Sequence, residues 1–442
     1  SSGSAVMPLL VEPGQWVILE GAKGDRILVQ PKEGTQLRMG KIQIPSEVIL
    51  GQPLGATFRL EAGQWSRRRP IPSTDDVDES TQADGTNRFQ SSEISAQSMT
   101  AEDIAEMKKE LSPTEVAAAI AARSATFEGK TAFSKQKYLL KKARKHAVQI
   151  TLWPTTLMGL CETYGKLSPA KISNLRFDHL VALLNVTAVR HGSRVLVLES
   201  CMGLVVGAVA QRLAGAGKVF STYDKGVSDK IMHQIGLTAD EKDVVCALPL
   251  ASLEKGKTHE FLQQPVHPGE PQDEEFEKRF VRKTQGWEKR VAQVNDLQKN
   301  GVDSVVVALD SEAQSAFLNG FLAVAMRLLR PGGTVGVYGP SLQPLACFQA
   351  AMRASTFCGR YTPPGDSVEQ KFGFVNIRLE EFWLREYQVL PQRTHPLMNA
   401  QTNLVSGFVL SGVKIIGDVE APPAGISNFE GREMPHAKRT CV

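Results

Sequence analysis

The chain has no uninterrupted apolar run approaching the ~18 residues that a spanning helix needs, so a helical membrane protein is not expected. It has no charged leader followed by an apolar stretch, so a secretory address is not expected. Cysteine is sparse: Cys161, Cys201, Cys246, Cys347, Cys358 and Cys441 are widely scattered, and no Cys-x-x-Cys pair exists. His191, His233 and His395 stand at no metal-ligand spacing. Zinc sites and a disulfide framework are thereby disfavoured, and the pattern suits a reducing compartment. No Ser-His-Asp or Cys-His arrangement can be assigned from spacing. Neither sign of charge dominates, with 51 Lys and Arg against 47 Asp and Glu and a net charge of +4. That surplus alone does not define a nucleic-acid binder, so the location of the charge has to decide.

What is present is an ordinary globular composition, with 442 residues, 42% of them hydrophobic and 22% charged. At about 150 residues per domain this suggests two or three domains. Residues 1–72 carry short strands at Gln15–Leu19, Arg26–Val29, Gln36–Ile44 and Thr57–Leu60, punctuated by glycines. That pattern predicts a small antiparallel barrel or sandwich. Such barrels carry RNA or serve as partner platforms, and both readings stay open. Residues 73–150 hold a solvated linker and then helices. Thr100-Ala-Glu-Asp103 has a capping-box outline, and Ser112-Pro113-Thr114-Glu115 opens a second helix.

A third helix, about Phe133 to Gln149, is the most basic segment. Lys135, Lys137, Lys141, Lys142, Arg144 and Lys145 crowd together with no acidic residue among them. Lys137, Lys141 and Arg144 stand at i, i+4 and i+7, hence on one face, where like charges repel. A phosphate backbone would remove that penalty. The plainer reading is a solvated face; the lack of acidic neighbours favours RNA.

Residues 151–442 form the remaining expected domain, in which strands alternate with helices from residue 194. Arg194–Glu199, Lys218–Asp224, Val244–Leu250, Asp303–Asp310 and Gly333–Tyr338 read as strands. Gly203–Leu213 and Ala313–Leu329 read as helices between them. This predicts a parallel, doubly wound sheet. A polar insertion interrupts it at about 255–300, with a charged helical part from Asp273 to Lys299. Ligands of such sheets sit beyond the carboxyl ends of the strands, at the first strand-to-helix turn. Here that turn is Glu199-Ser-Cys-Met-Gly-Leu-Val-Val-Gly207. An acidic-x-Gly-x-Gly-x-Gly template fits Glu199 and Gly203, but Cys201 and Val205 replace two glycines. The site reads as eroded on a kept fold. Asp224, at the end of the second strand, is placed to hold a ribose or to cap a turn. Asp310, at the end of the fourth, is placed either to take an acceptor's proton or to serve structure.

The run Phe382-Trp-Leu-Arg-Glu-Tyr-Gln-Val-Leu-Pro-Gln-Arg-Thr-His-Pro396, followed by Ser406-Gly-Phe-Val-Leu-Ser-Gly412, resembles the non-catalytic subunit of the eukaryotic tRNA adenine-58 1-methyladenosine methyltransferase. Phe133–Tyr138, Leu175–Asp178 and Glu199–Leu204 support the match. The resemblance implies a Rossmann-like class I methyltransferase sheet with a degenerate cofactor site, preceded by the small β-barrel. It implies that this chain holds no cofactor and that S-adenosylmethionine belongs to a catalytic partner subunit. The partner carries an Asp-Leu-Pro-x-Pro-Trp turn where this chain has Asp310-Ser-Glu-Ala313. A heterotetramer of two chains of each kind, a T-loop tRNA substrate, a nuclear location and no membrane partner are expected. The phosphate contacts implied are Arg88, Lys137, Lys141, Lys142, Arg144, Lys145, Arg330, Arg378, Arg385 and Arg393. For Arg385, Arg393 and His395, knitting a C-terminal hairpin or meeting the partner is the competing reading. Two rival functions remain: a self-sufficient S-adenosylmethionine-dependent RNA methyltransferase using Asp224 and Asp310, and a translation-factor-like scaffold.

Overall fold

The computed structural model describes residues 9–72, 100–124, 127–223, 228–253, 264–266, 274–310, 325–353, 360–361, 370–385, 387–390, 393–396 and 407–416. The N-terminal strands are β1 (Val17–Gly21), β2 (Arg26–Val29), β3 (Gln36–Met39), β4 (Ile42–Pro45), β5 (Thr57–Glu61) and β6 (Gln64–Arg68). The span expected as one strand over 36–44 is a hairpin, because Gly40 takes φ +59° between β3 and β4. Three helices follow: α1 (Ala101–Glu110), α2 (Pro113–Ala122) and α3 (Ala132–His146). Both expected caps form. Thr100 and Asp103 close a reciprocal capping box on α1, as do Ser112 and Glu115 on α2.

The chain then returns to the N-terminal domain. Strand β7 (Gln149–Pro154) inserts between β1 and β5 in an antiparallel sheet of order β2-β1-β7-β5-β6. Ile150 and Leu152 from β7 join Val17, Leu19, Met39, Ile44 and Phe58 in one apolar core, so the β3–β4 hairpin packs on the same domain. The N-terminal domain is therefore completed from beyond the helical segment.

Helices α4 (Leu157–Leu167) and α5 (Phe177–Val186) lead into the large sheet. Its elements are β8 (Arg194–Glu199), α6 (Leu204–Leu213), β9 (Lys218–Tyr223), α7 (Ala239–Asp243), β10 (Val245–Pro249), α8 (Glu274–Asn300), β11 (Val302–Ala308), β12 (Leu329–Gly339), the helix Leu342–Arg353, β13 (Arg360–Tyr361), β14 (Gln370–Glu381), a hairpin of β15 (Tyr387–Leu390) and β16 (Arg393–Pro396), and β17 (Phe408–Ile416). The strand order is β10-β9-β8-β11-β12-β17-β14-β13, with β8 to β12 parallel and β17 antiparallel between β12 and β14. The helix expected at Ala313–Leu329 falls largely on residues 311–324, outside those described.

Parallel central strands are covered on both faces and so read as unbroken apolar runs. Strand β8 obeys this with Val195 and Val197 in one core and Leu196 and Leu198 in the other. Strand β11 alternates likewise, with Val306 and Ala308 on the first face and Val305 and Val307 on the second. The first core takes α5 and α6; the second takes α8 and the helix Leu342–Arg353. Helix α4 ties the two domains together. Arg26 of β2 pairs with Glu162, and Lys166 Nζ donates to Gly24 O at 3.0 Å.

Candidate functional site

The turn after β8 is built around Gly203, which caps α6 at φ +86°. Only glycine enters that region without strain. A free helix N-terminus is a ready anion site, because its first N–H groups lack partners. Here the chain supplies its own carboxylate. Glu199 accepts the Val205 N–H at 2.9 Å and the Val206 N–H at 3.5 Å. Burial nevertheless pushes its carboxyl up to about 7, against the downward pull of those N–H donors.

The two positions that depart from the glycine template are packed. Cys201 and Val205 are both fully buried in the first core. The Cys201 thiol donates to Ile172 O at 3.4 Å, and burial holds it well above the ordinary thiol range. Such a thiol is no nucleophile. Burial also pushes Cys161 up to about 12.

The segment after β9 then closes the turn from outside. Ile231 N donates to Met202 O at 2.9 Å. A Cβ placed on Gly203 would meet Asp229 Cα at 2.8 Å and Met232 Cβ at 2.9 Å. Ile235 lies against Gly207 in the same way, and Ile231, Met232 and Ile235 are all buried. The cradle that glycines would offer S-adenosylmethionine is filled by the chain itself. The residues present do not fit that group. The sequence marks the loss of two glycines but carries no local sign of this closure.

Asp224 lies outside the described residues. Asp310 directly follows β11, and its N–H donates to Ser200 Oγ at 2.8 Å. Ser200 Oγ in turn meets Ser173 Oγ at 2.8 Å, so this corner is knitted by hydroxyls around the backbone.

The basic helix forms as expected, with Thr131 as its N-cap. Lys141 and Lys145, one turn apart, are exposed. Lys137 sits 4.3 Å over the Phe133 ring, and Lys142 5.3 Å over Tyr138. Arg144 is partly buried and donates through Nε to Ala22 O at 3.0 Å, in the β1–β2 turn. His146, at the helix end, is held down to about 4 by burial and then by the charges of Lys108, Lys145, Lys142 and Lys23. Lys23 and Lys108 were not among the residues picked out from sequence, because they come from the first hairpin and from α1.

The remaining arginines are dispersed. Arg330 opens β12, where it pairs with Asp303 Oδ1 at 2.6 Å and donates to Asn300 O at 2.7 Å. That is the amino-terminal edge of the parallel strands, opposite the Gly203 turn. Arg378 is exposed beyond a bulge in β14, where Asn376 takes φ +52° and accepts from Arg378 Nε at 3.0 Å. Arg385 is exposed beyond the end of β14. Arg88 and the Arg393 side chain lie outside the described residues. His395 Nδ1 is 3.1 Å from Pro396 O, within the β15–β16 hairpin.

Five parallel strands with an antiparallel strand placed next to the last of them define a class I methyltransferase fold, here with its cofactor turn closed by its own chain. A family model described as the Gcd10p family matches residues 10–279, and the chain belongs to that family. It is 30% identical over 433 residues to a protein of Dictyostelium discoideum named tRNA (adenine(58)-N(1))-methyltransferase non-catalytic subunit, covering 93% of this chain and 80% of that one. A mouse protein of the same name is 24% identical over 446 residues, covering 88% and 85%. Among solved structures, a tRNA (m1A58) methyltransferase from Aquifex aeolicus aligns over 92% of this chain and 99% of its own, at 10% identity and a TM-score of 0.43.

Proposed function

We propose that this chain is the non-catalytic, tRNA-binding subunit of a heteromeric methyltransferase that forms 1-methyladenosine at position 58 of tRNA. The observation that carries the reading is the closed glycine turn, in a chain whose curated relatives bear that subunit's name. A fold kept while its cofactor cradle is filled leaves methyl transfer to a partner subunit. The exposed lysines of α3 supply the phosphate-binding surface. Assembly as two chains of each kind and a nuclear location belong to the same proposal.

Calorimetric titration of S-adenosylmethionine into the purified, folded chain tests the first half. No heat is expected; saturable heat at micromolar ligand would revive the self-sufficient enzyme. For the second half, Lys141→Gln with Lys145→Gln in the complex with the catalytic partner should weaken tRNA binding and lower its salt slope by about two. An unchanged slope would remove α3 from the interface.

A further inference from the structure

The β1–β2 turn, Gly21-Ala-Lys-Gly-Asp25, is gripped from two sides by cations of other elements. Arg144 of α3 holds Ala22 O, and Lys166 of α4 holds Gly24 O, each at 3.0 Å. Between these two anchored carbonyls stands Lys23, exposed. The turn itself is tight. Gly21 N donates to Asp25 O at 2.8 Å and Gly24 N to Gly21 O at 2.9 Å, which closes the tip on itself. Asp25 is the carboxylate within it. Lys108 of α1 is also exposed.

We propose that the tip of the β1–β2 hairpin is part of the tRNA-binding surface, with Lys23 and Lys108 as phosphate contacts and Arg144 as the positioning residue that holds the tip against α3. This rests on the tRNA-binding reading above and deepens it. The surface is then composite: Lys141 and Lys145 from α3, Lys23 from the N-terminal β domain, and Lys108 from α1. The hydrogen bond from Arg144 Nε to Ala22 O sets the residue next to Lys23 against α3, and His146, at the end of the same helix, is held down by burial and then by the charges of Lys108, Lys145, Lys142 and Lys23. The exposed ammonium groups of Lys23, Lys108, Lys141 and Lys145 outnumber the Asp25 carboxylate of the tip and repel one another, and a polyanion relieves that repulsion. Arg144 is committed to a carbonyl, so the face it shares in sequence with Lys137 and Lys141 gains its third cation from Lys23 instead.

The test uses the assembled complex with its catalytic subunit and a fluorescent tRNA, with affinity measured from 50 to 300 mM salt. Lys23→Gln with Lys108→Gln should weaken binding roughly ten- to thirty-fold near 0.15 M salt and lower the salt slope by about two. Lys141→Gln with Lys145→Gln is the comparator. If the helix pair weakens binding and the Lys23/Lys108 pair does not, the inference is overturned and the tRNA-binding reading stands. If neither pair has an effect, the reading of this whole surface falls with it. Arg144→Gln should weaken binding in the native background and add little in a Lys23→Gln background. Full additivity would mean that Arg144 meets RNA directly, and would overturn its positioning role.

Discussion

Replacing Gly203 with alanine tests whether the segment after β9 is seated on the glycine turn. Two costs combine. The residue sits at φ +86°, where a Cβ costs about 1–2 kcal/mol. The new carbon would also stand 2.8 Å from Asp229 Cα and 2.9 Å from Met232 Cβ. The first of those is backbone and cannot swing aside. Relief requires moving the whole 229–235 segment, which carries the buried Ile231, Met232 and Ile235. Overpacking of that kind costs about 1–3 kcal/mol. Gly332 provides the control, since it has φ +76° but nothing within 4 Å of its Cβ position. Alanine there meets the backbone cost alone, partly offset by the lower entropy of the unfolded chain, or about 1 kcal/mol. Equilibrium urea unfolding should therefore show Gly203→Ala costing about 2 kcal/mol more than Gly332→Ala. Equal costs would refute the closure, because only the contact with Asp229 and Met232 separates the two sites.

Two further perturbations follow from buried charges. Lys414 of β17 is fully buried, with Nζ donating to Met326 O at 2.7 Å and Leu329 O at 2.6 Å, and burial lowers it to about 7. The unfolded chain therefore holds more protons than the folded one between pH 7 and its ordinary value, so stability rises with pH there. Native protein should be about 2 kcal/mol more stable at pH 9 than at pH 7 on this account, and Lys414→Met should abolish that gain; an identical pH profile in the variant would refute it. Glu199 runs the other way. Its raised carboxyl keeps a proton in the folded state that the unfolded chain loses above its ordinary range, so stability falls as pH climbs from about 4.5 to 7. Glu199→Gln should remove about 1–2 kcal/mol of that fall in paired melts at pH 5 and pH 8, and a fall of unchanged size would show that the carboxyl is not desolvated.

The large sheet was legible because burial on both faces writes itself into single strands: Arg194–Glu199 needs no partner to be recognised. Strand β6 was missed because Arg67 and Arg68 lie on an edge with water on one side, which looks like the start of the charged linker that follows. Strand β7 was missed because its pairing with β1 spans the whole helical segment, and no local pattern announces so distant a register. The same limit applies to the site. Spacing placed Lys137, Lys141 and Arg144 on one helical face, and that face exists. It could not tell that Arg144 meets a carbonyl while Lys141 meets water, since that depends on where the first hairpin docks.

The turn after β8 shows why one acidic residue stands where two glycines are gone. Glycines at positions 201 and 205 would be needed only for a ligand to approach the backbone, whereas Cys201 and Val205 are buried in the first core and add apolar burial there. Glu199 answers to a different demand. The N–H groups of Val205 and Val206 open α6 inside the protein, and without a partner each buried donor would cost about 1–3 kcal/mol. An aliphatic side chain at 199 would orphan them, whereas glutamate satisfies both and is tolerated by taking up a proton. The retained acid therefore needs no cofactor to explain it, and its presence lends no support to a self-sufficient enzyme. That separates two readings which the bare motif could not: Glu199 and Gly203 persist here because they terminate a strand and start a helix in a closed core.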